Sequence, residues 1–171
     1  MSSKLVLIRG PICSGKSMVT RVLREKLDQA SLADFDSIKQ QIDFRASSNW
    51  RREIALRTAV FLAGELLNAE RTVIAEVHSA FHEQYEAFKN VAEMHQRPFY
   101  SFLITAPMDV CLQRNRSRRI PDPWYAPGDA AVREHWEKTE HIAGEPEFDT
   151  SRQTVRDIVT SILDYVRSSA E

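Results

Sequence analysis

The segment Gly10-Pro11-Ile12-Cys13-Ser14-Gly15-Lys16-Ser17 constrains this chain more than any other. It fits the pattern G-x-x-x-x-G-K-[ST], with the apolar run Leu5-Val6-Leu7-Ile8 before it and a helical pattern after it. Glycines let the backbone curl so that successive N–H groups converge on phosphate oxygens. A helix starting at the end of the loop adds the positive end of its dipole. An ammonium at Lys16 reaches the outer phosphates of a bound triphosphate, and the Ser17 hydroxyl can ligate Mg²⁺. Gly10, Pro11, Ile12, Cys13, Ser14, Gly15, Lys16, Ser17 and the following Met18 are therefore the expected nucleotide-binding residues. A plain glycine turn is the competing reading, but the pattern arises by chance in well under about 1% of chains this long. Cys13 is read as a small filler, although a helix start also stabilises a thiolate.

The rest of the chain alternates short apolar runs with longer amphipathic stretches. Strands are expected at residues 5–8, 31–36, 72–77, 99–105 and 147–149. Val19, Val22, Leu23 and Leu27 mark the first helix. Ile54, Ala55, Phe61, Leu62 and Leu66 mark a long one over residues 49–68. Further helices are expected near 81–96 and 108–118, and one resumes at Gly128. The last carries Val155, Ile158, Val159, Ile162, Leu163 and Val166 on one stripe. Pro121, Pro123 and Pro127 break regular structure between the 108–118 helix and the one that resumes at Gly128. Strands alternating with helices imply an α/β fold: a five-stranded, mainly parallel sheet with helices on both faces. Ligands then bind beyond the carboxyl ends of the strands.

A chain of 171 residues suits one domain, taken as residues 1–171. Its formal charge of −1 gives no global attraction to nucleic acid or anionic membrane. No apolar run reaches the roughly 20 residues of a membrane helix, and no leader pattern opens the chain. With only two cysteines, Cys13 and Cys111, spaced unlike metal ligands, a cytoplasmic location is expected.

Several users of a phosphate loop are excluded. The guanine-reading N-K-x-D and the switch pattern D-x-x-G are missing, as is the dinucleotide pattern G-x-G-x-x-G; a large motor ATPase needs more chain. Two further motifs then carry a resemblance. Asp34-Phe35-Asp36, with Asp36 twenty residues after Lys16, is similar to the acceptor-site aspartate of small P-loop kinases. Arg114-Asn115-Arg116-Ser117-Arg118 resembles the R-N-x-x-R run that opens their lid, here about residues 114–128. The group includes polynucleotide kinase, chloramphenicol phosphotransferase, and zeta-toxin-like, gluconate and shikimate kinases. The resemblance spans about residues 4 to 120, and Phe148-Asp149-Thr150 extends it. Lys39 stands where the polynucleotide-kinase branch has arginine. The triple glycine of shikimate kinase is replaced by Glu76-Val77-His78-Ser79. The resemblance implies a three-layer P-loop NTPase fold in strand order 2-3-1-4-5 and an enzyme using ATP and Mg²⁺. It further implies transfer of the γ-phosphoryl group to a hydroxyl of a small molecule: a metabolite, nucleoside or antibiotic. A nucleic-acid 5′-hydroxyl kinase and an ATP-binding regulatory module without transfer activity stay open.

Each candidate residue has a competing structural role. Asp36 is the expected general base, or else a helix cap. Asp34, alternating with it along an extended chain, assists with acceptor or metal. Glu76 ends a strand and joins Ser17 as a metal ligand, or binds the acceptor with Lys39 and His78. Arg118 is the expected transition-state arginine of the lid, and Arg114 is expected along the nucleotide; Arg116 and Arg119 are less distinguished, and a solvated helix end is the alternative for all four. Trp124 and Tyr125 either stack on the acceptor or pin a loop. Arg51, Arg52 and Arg57 either attract a phosphorylated acceptor or form a solvated face.

Overall fold

In the computed structural model the described residues are 3–42, 47–77, 81–117 and 127–168. Five strands form one sheet: β1 (Leu5–Arg9), β2 (Ala30–Asp34), β3 (Thr72–Glu76), β4 (Phe99–Thr105) and β5 (Glu147–Asp149), in the order β2-β3-β1-β4-β5. Every neighbouring pair is parallel. The connections therefore have to cross over, and seven helices occur among the described residues: α1 (Lys16–Lys26), α2 (Phe35–Gln40), α3 (Ser48–Asn68), α4 (His82–Met94), α5 (Met108–Ser117), α6 (Asp129–Glu137) and α7 (Val155–Ser168). This is the P-loop NTPase architecture and strand order that the motifs imply.

Alternation along β1 shows how the sheet divides its side chains. All five of its residues are buried. Leu5 and Leu7 pack with the alanines of α3 and with Phe88 of α4, whereas Val6 and Ile8 pack with Val19 of α1 and Ile158 and Ile162 of α7. A strand covered on both faces reads as an unbroken apolar run for this reason. A third cluster joins Cys13, Ala106, Cys111, Leu112 and Val132 beside the loop after β1. None of the helices among the described residues is long and apolar enough to cross a membrane.

Two expectations need correction. Phe61 does not belong to the core face of α3; its side chain is 69% exposed. The buried face is Ala55, Ala59, Ala63 and Leu67, each four residues from the last. Small side chains at that spacing bring the helix close to the sheet and leave no room for a ring. The second strand also ends earlier than expected. The Asp34 carboxylate accepts hydrogen bonds from the Asp36 N–H at 2.9 Å and the Ser37 hydroxyl at 2.5 Å, so it caps α2. Asp36 thus lies in the first helical turn, and the two aspartates do not alternate along one strand. The buried ring of Phe35 between them anchors the turn.

Register brings the strand ends together. Asp34 pairs with Glu76 across β2 and β3, and Ile8 pairs with Glu76 across β1 and β3. The acidic ends of two strands therefore stand beside the loop that leaves β1.

Candidate active site

The loop from Gly10 to Ser17 departs from β1 through three residues with positive φ: Gly10 at 147°, Cys13 at 65° and Gly15 at 100°. That sequence of turns curls the chain, and glycine is needed at two of the three positions. A Cβ on Gly10 would lie 2.0 Å from the Ile104 carbonyl oxygen, and one on Gly15 would press on the Thr150 side chain at 3.2 Å. Helix α1 then begins at Lys16, with the Gly15 carbonyl accepting from the N–H groups of Met18 at 3.1 Å and Val19 at 3.3 Å. Its first turn points the helix start at the loop's concavity. The Lys16 ammonium is 5% exposed and donates to the Pro11 carbonyl at 2.8 Å. Burial pushes its pKa down, against the opposing pull of Glu76 and Asp36. An arriving triphosphate adds negative charge here and favours the ammonium form.

Ser17 faces out of the loop into a cavity of about 880 Å³, and its hydroxyl donates to a Glu76 carboxylate oxygen at 2.7 Å. Glu76 is 6% exposed at the end of β3, fixed by pairing on both sides. Among the described residues no group of three or more His, Cys, Asp and Glu could hold a metal unaided. Two oxygens at a phosphate loop nevertheless suit Mg²⁺, which takes one or two protein ligands and fills its octahedron with water and phosphate oxygens. Ser17 and Glu76 are the residues that fit it.

The same cavity is lined by Ile12, Cys13, Gly15, Met18, Asp34, Asp36 and Lys39, so most of the expected nucleotide and acceptor residues meet in one space. Gly10, Pro11 and Ser14 are buried and do not line it. Cys13 is 5% exposed in the left-handed conformation, and its thiol donates to the Asn115 side-chain oxygen at 3.8 Å. Asp36 stands close enough to both Lys16 and Lys39 to stabilise their charged forms. Lys39 is held below the usual lysine range, first by burial and then by the neighbouring Arg51 and Arg52 guanidinium groups, with Asp36 opposing.

Arg114 packs against the phosphate loop itself. Its guanidinium donates to the Cys13 and Ser14 carbonyls, both at 3.3 Å, to the Thr150 hydroxyl at 2.8 Å and to the Thr150 carbonyl at 3.1 Å. It therefore ties the back of the phosphate loop to the turn after β5. Thr150 completes the tie by donating to the Ser14 carbonyl at 2.6 Å. Asn115 donates to the Pro127 carbonyl at 2.8 Å, and Arg116 pairs with Asp129 at the start of α6. Of the remaining basic residues, Arg52 lies over the Phe81 ring at 4.8 Å and Arg57 is exposed beside Glu53. His78, Arg118, Arg119, Trp124 and Tyr125 lie outside the described residues.

Sequence reasoning missed Arg21, Arg24 and His135, which also line the cavity. A signal existed for the first two. Ser17, Arg21 and Arg24 are spaced four and three apart, so they share one face of α1. His135 reaches the cavity only through the packing of α6 and carries no sequence signal.

Comparison with known proteins agrees with this fold. A family model described as an AAA domain matches residues 5–140. A sulfate adenylyltransferase from Aspergillus clavatus is 24% identical over 178 residues, covering 92% of this chain; the chain spans 29% of that relative's length. Among solved structures, an APS kinase from Mycobacterium tuberculosis in complex with AMPPNP and APS superposes with a TM-score of 0.77 at 18% identity, covering 97% of this chain and 98% of the other. A tunicamycin resistance protein from Deinococcus radiodurans gives 0.71 at 15% identity, covering 96% and 95%. At such identities the likeness is one of fold.

Proposed function

This chain belongs to the AAA-domain family matched over residues 5–140, and on that premise we propose that it is a small P-loop kinase, moving the γ-phosphoryl group of ATP to a hydroxyl of a small molecule. One observation carries the reading: Asp36 shares a single cavity with Lys16 and with the Ser17–Glu76 pair. A phosphate cradle alone serves many purposes, whereas a carboxylate facing it across the space for a second substrate serves proton removal. The fold likeness to an APS kinase in complex with AMPPNP and APS supports the same class.

The division of labour follows from the residues. Loop N–H groups and Lys16 bind the β- and γ-phosphates. Ser17 and Glu76 would hold Mg²⁺, which would supply positive charge to offset that of the phosphates. Asp36 orients the acceptor hydroxyl and takes its proton as the oxygen attacks the γ-phosphorus, the bond to the β,γ-bridging oxygen breaks and ADP leaves. Arg114 keeps the loop curled by holding its carbonyls, a positioning role. Arg118 is the proposed partner for charge on the transferring group, on the strength of its place in the R-N-x-x-R run. The two buried cysteines, neither in a disulfide, suit a reducing compartment, and the cytoplasm is the proposed location.

The test is a transfer assay with labelled γ-phosphate against nucleosides, sugars, aminocyclitols, antibiotics and 5′-hydroxyl oligonucleotides. On the acceptor found, Asp36→Asn is expected to lower kcat by about 10²–10⁴-fold with ATP affinity retained. Free phosphate with no labelled product, unchanged in Asp36→Asn, would overturn the kinase reading in favour of a module that binds ATP without transfer.

A further inference from the structure

We infer that the outer edge of β4 docks an uncharged, extended peptide segment of a partner protein, which adds to the sheet where β5 stops short. The inference is independent of the phosphotransfer reading. Strand β4 has seven residues, but its ladder with β5 covers only Leu103, Ile104 and Thr105. The Leu5 N–H donates to the Pro98 carbonyl on the β1 side at 2.9 Å, and the Leu103 N–H donates to the Pro146 carbonyl on the β5 side at 3.0 Å. Main-chain groups alternate in direction along a strand, so those of Phe99 and Ser101 face the same side as those of Leu103. Continuing the ladder would need an N–H at Pro146 for the Ser101 carbonyl, and proline has none. The Ser101 N–H and C=O and the Phe99 C=O are thus left without a main-chain partner among the described residues.

This open edge lies in a hollow of about 330 Å³, walled by Tyr85 of α4, Tyr165 of α7 and residues 142–146. Tyr85 meets Phe99 edge-on at 5.3 Å, and Tyr165 meets Tyr100 at 6.4 Å, so a ring stands on each face of the sheet. Hydrogen bonding, shape and charge together select the occupant. Donors and acceptors in one line match an extended backbone, and side chains alternating above and below it would meet the two rings. From Phe99 to Ser101 the edge runs roughly 7 Å, which three or four added residues span. The equally recessed edge of a second copy cannot reach past the flanking walls, whereas a single narrow segment can. Glu145 is the only carboxylate lining the hollow, and no basic side chain lines it. Its charge is already met by the buried Arg9 at 2.8 Å, and it also accepts from the Ser101 hydroxyl. The hollow therefore offers a ligand no net charge, which suits neutral β-formers and disfavours acidic, basic or phosphorylated segments.

Amide NMR on the isotope-labelled full chain tests this, with N-acetylated, C-amidated tetrapeptides of Val, Thr, Leu and Phe as probes. At about ten times the Kd of the best binder, deuterium exchange of the Ser101 amide should slow by about tenfold. Methylating those alternate amide nitrogens of the peptide that face the edge should weaken binding at least about fivefold, and methylating the other set should not. Tyr165→Ser, at a ring 43% exposed and outside the phosphate-loop cavity, should weaken binding by a similar factor and leave the thermal shift given by ATP and Mg²⁺ unchanged. Absence of binding by every peptide, equal loss from both methylated sets, or preference for a lysine- or glutamate-bearing peptide overturns the proposal. So does Ser101 protection that rises with protein concentration in the absence of peptide, which would assign the edge to a second copy.

Discussion

Gly10 is where one atom has the largest consequence. It links β1 to the phosphate loop, and any side chain there meets the Ile104 main chain of β4 at 2.0 Å. A backbone carbonyl in a central strand cannot swing aside as a flexible side chain can. Gly10→Ala is therefore expected to lower stability by about 2 kcal/mol or more, read as a fall in the urea midpoint; an unmoved midpoint would refute the close packing. Cys111 offers a test by pH. Burial and the nearby Cys13 push its thiol from 9.0 up to about 11, although Arg114 and Lys16 oppose the shift. The unfolded chain then loses this proton first as pH rises, so between 9 and about 11 the folded state is progressively disfavoured. Below that window the thiol is protonated in both states and adds no pH dependence. Cys111→Ala should flatten this alkaline fall in stability, measured by denaturant titration across the window. Arg9 and Glu145 form a buried pair at 2.8 Å behind the site, where both side chains are nearly inaccessible. Neither lines the cavity, and a role in holding β1 against the turn before β5 accounts for them.

At the scale of elements, α2 decides whether Asp36 is useful. The helix has six residues and is too short to persist on its own. It depends on the Asp34 cap at its start and on Phe35 in the core. Asp34→Ala should cost about 0.5–2 kcal/mol through the lost cap and lower kcat by letting Asp36 drift, with ATP affinity preserved. Asp34→Asn separates two roles, since asparagine caps as well as aspartate but ligates Mg²⁺ poorly. Near wild-type turnover in that variant marks Asp34 as a cap; a loss reversed by higher Mg²⁺ marks it as a metal ligand. Helix α5 shows the same dependence on its neighbours. Its Arg114 faces the turn after β5, thirty-six residues later, and Arg116 crosses to Asp129 on α6. One basic run thus serves two structural ties.

At the scale of the whole molecule, the parallel sheet gathers the ends of β1, β2 and β3 around one cavity. Ligand binding there should be felt globally. Nucleotide with Mg²⁺ at about a hundred times its Kd should add about 2.7 kcal/mol of stability, seen as a rise in Tm. Glu76→Gln should lose the Mg²⁺-dependent part of that rise and keep the nucleotide-dependent part; an undiminished Mg²⁺ increment would remove Glu76 from the metal site. The chain's own letters determined the phosphate loop, the alternation of strands and helices and the aspartate that follows the first helix. Each of these is local: glycine freedom, apolar period and capping chemistry act within a few neighbouring residues. Tertiary structure alone decided that the Ser17 hydroxyl donates directly to Glu76 across 59 residues, that Arg114 turns to Thr150, and that His135 joins the lining with Arg51, of the three arginines at the start of α3. Those contacts follow from strand register and helix packing, where burial of shared apolar faces sets the geometry, and no short stretch of sequence contains both partners.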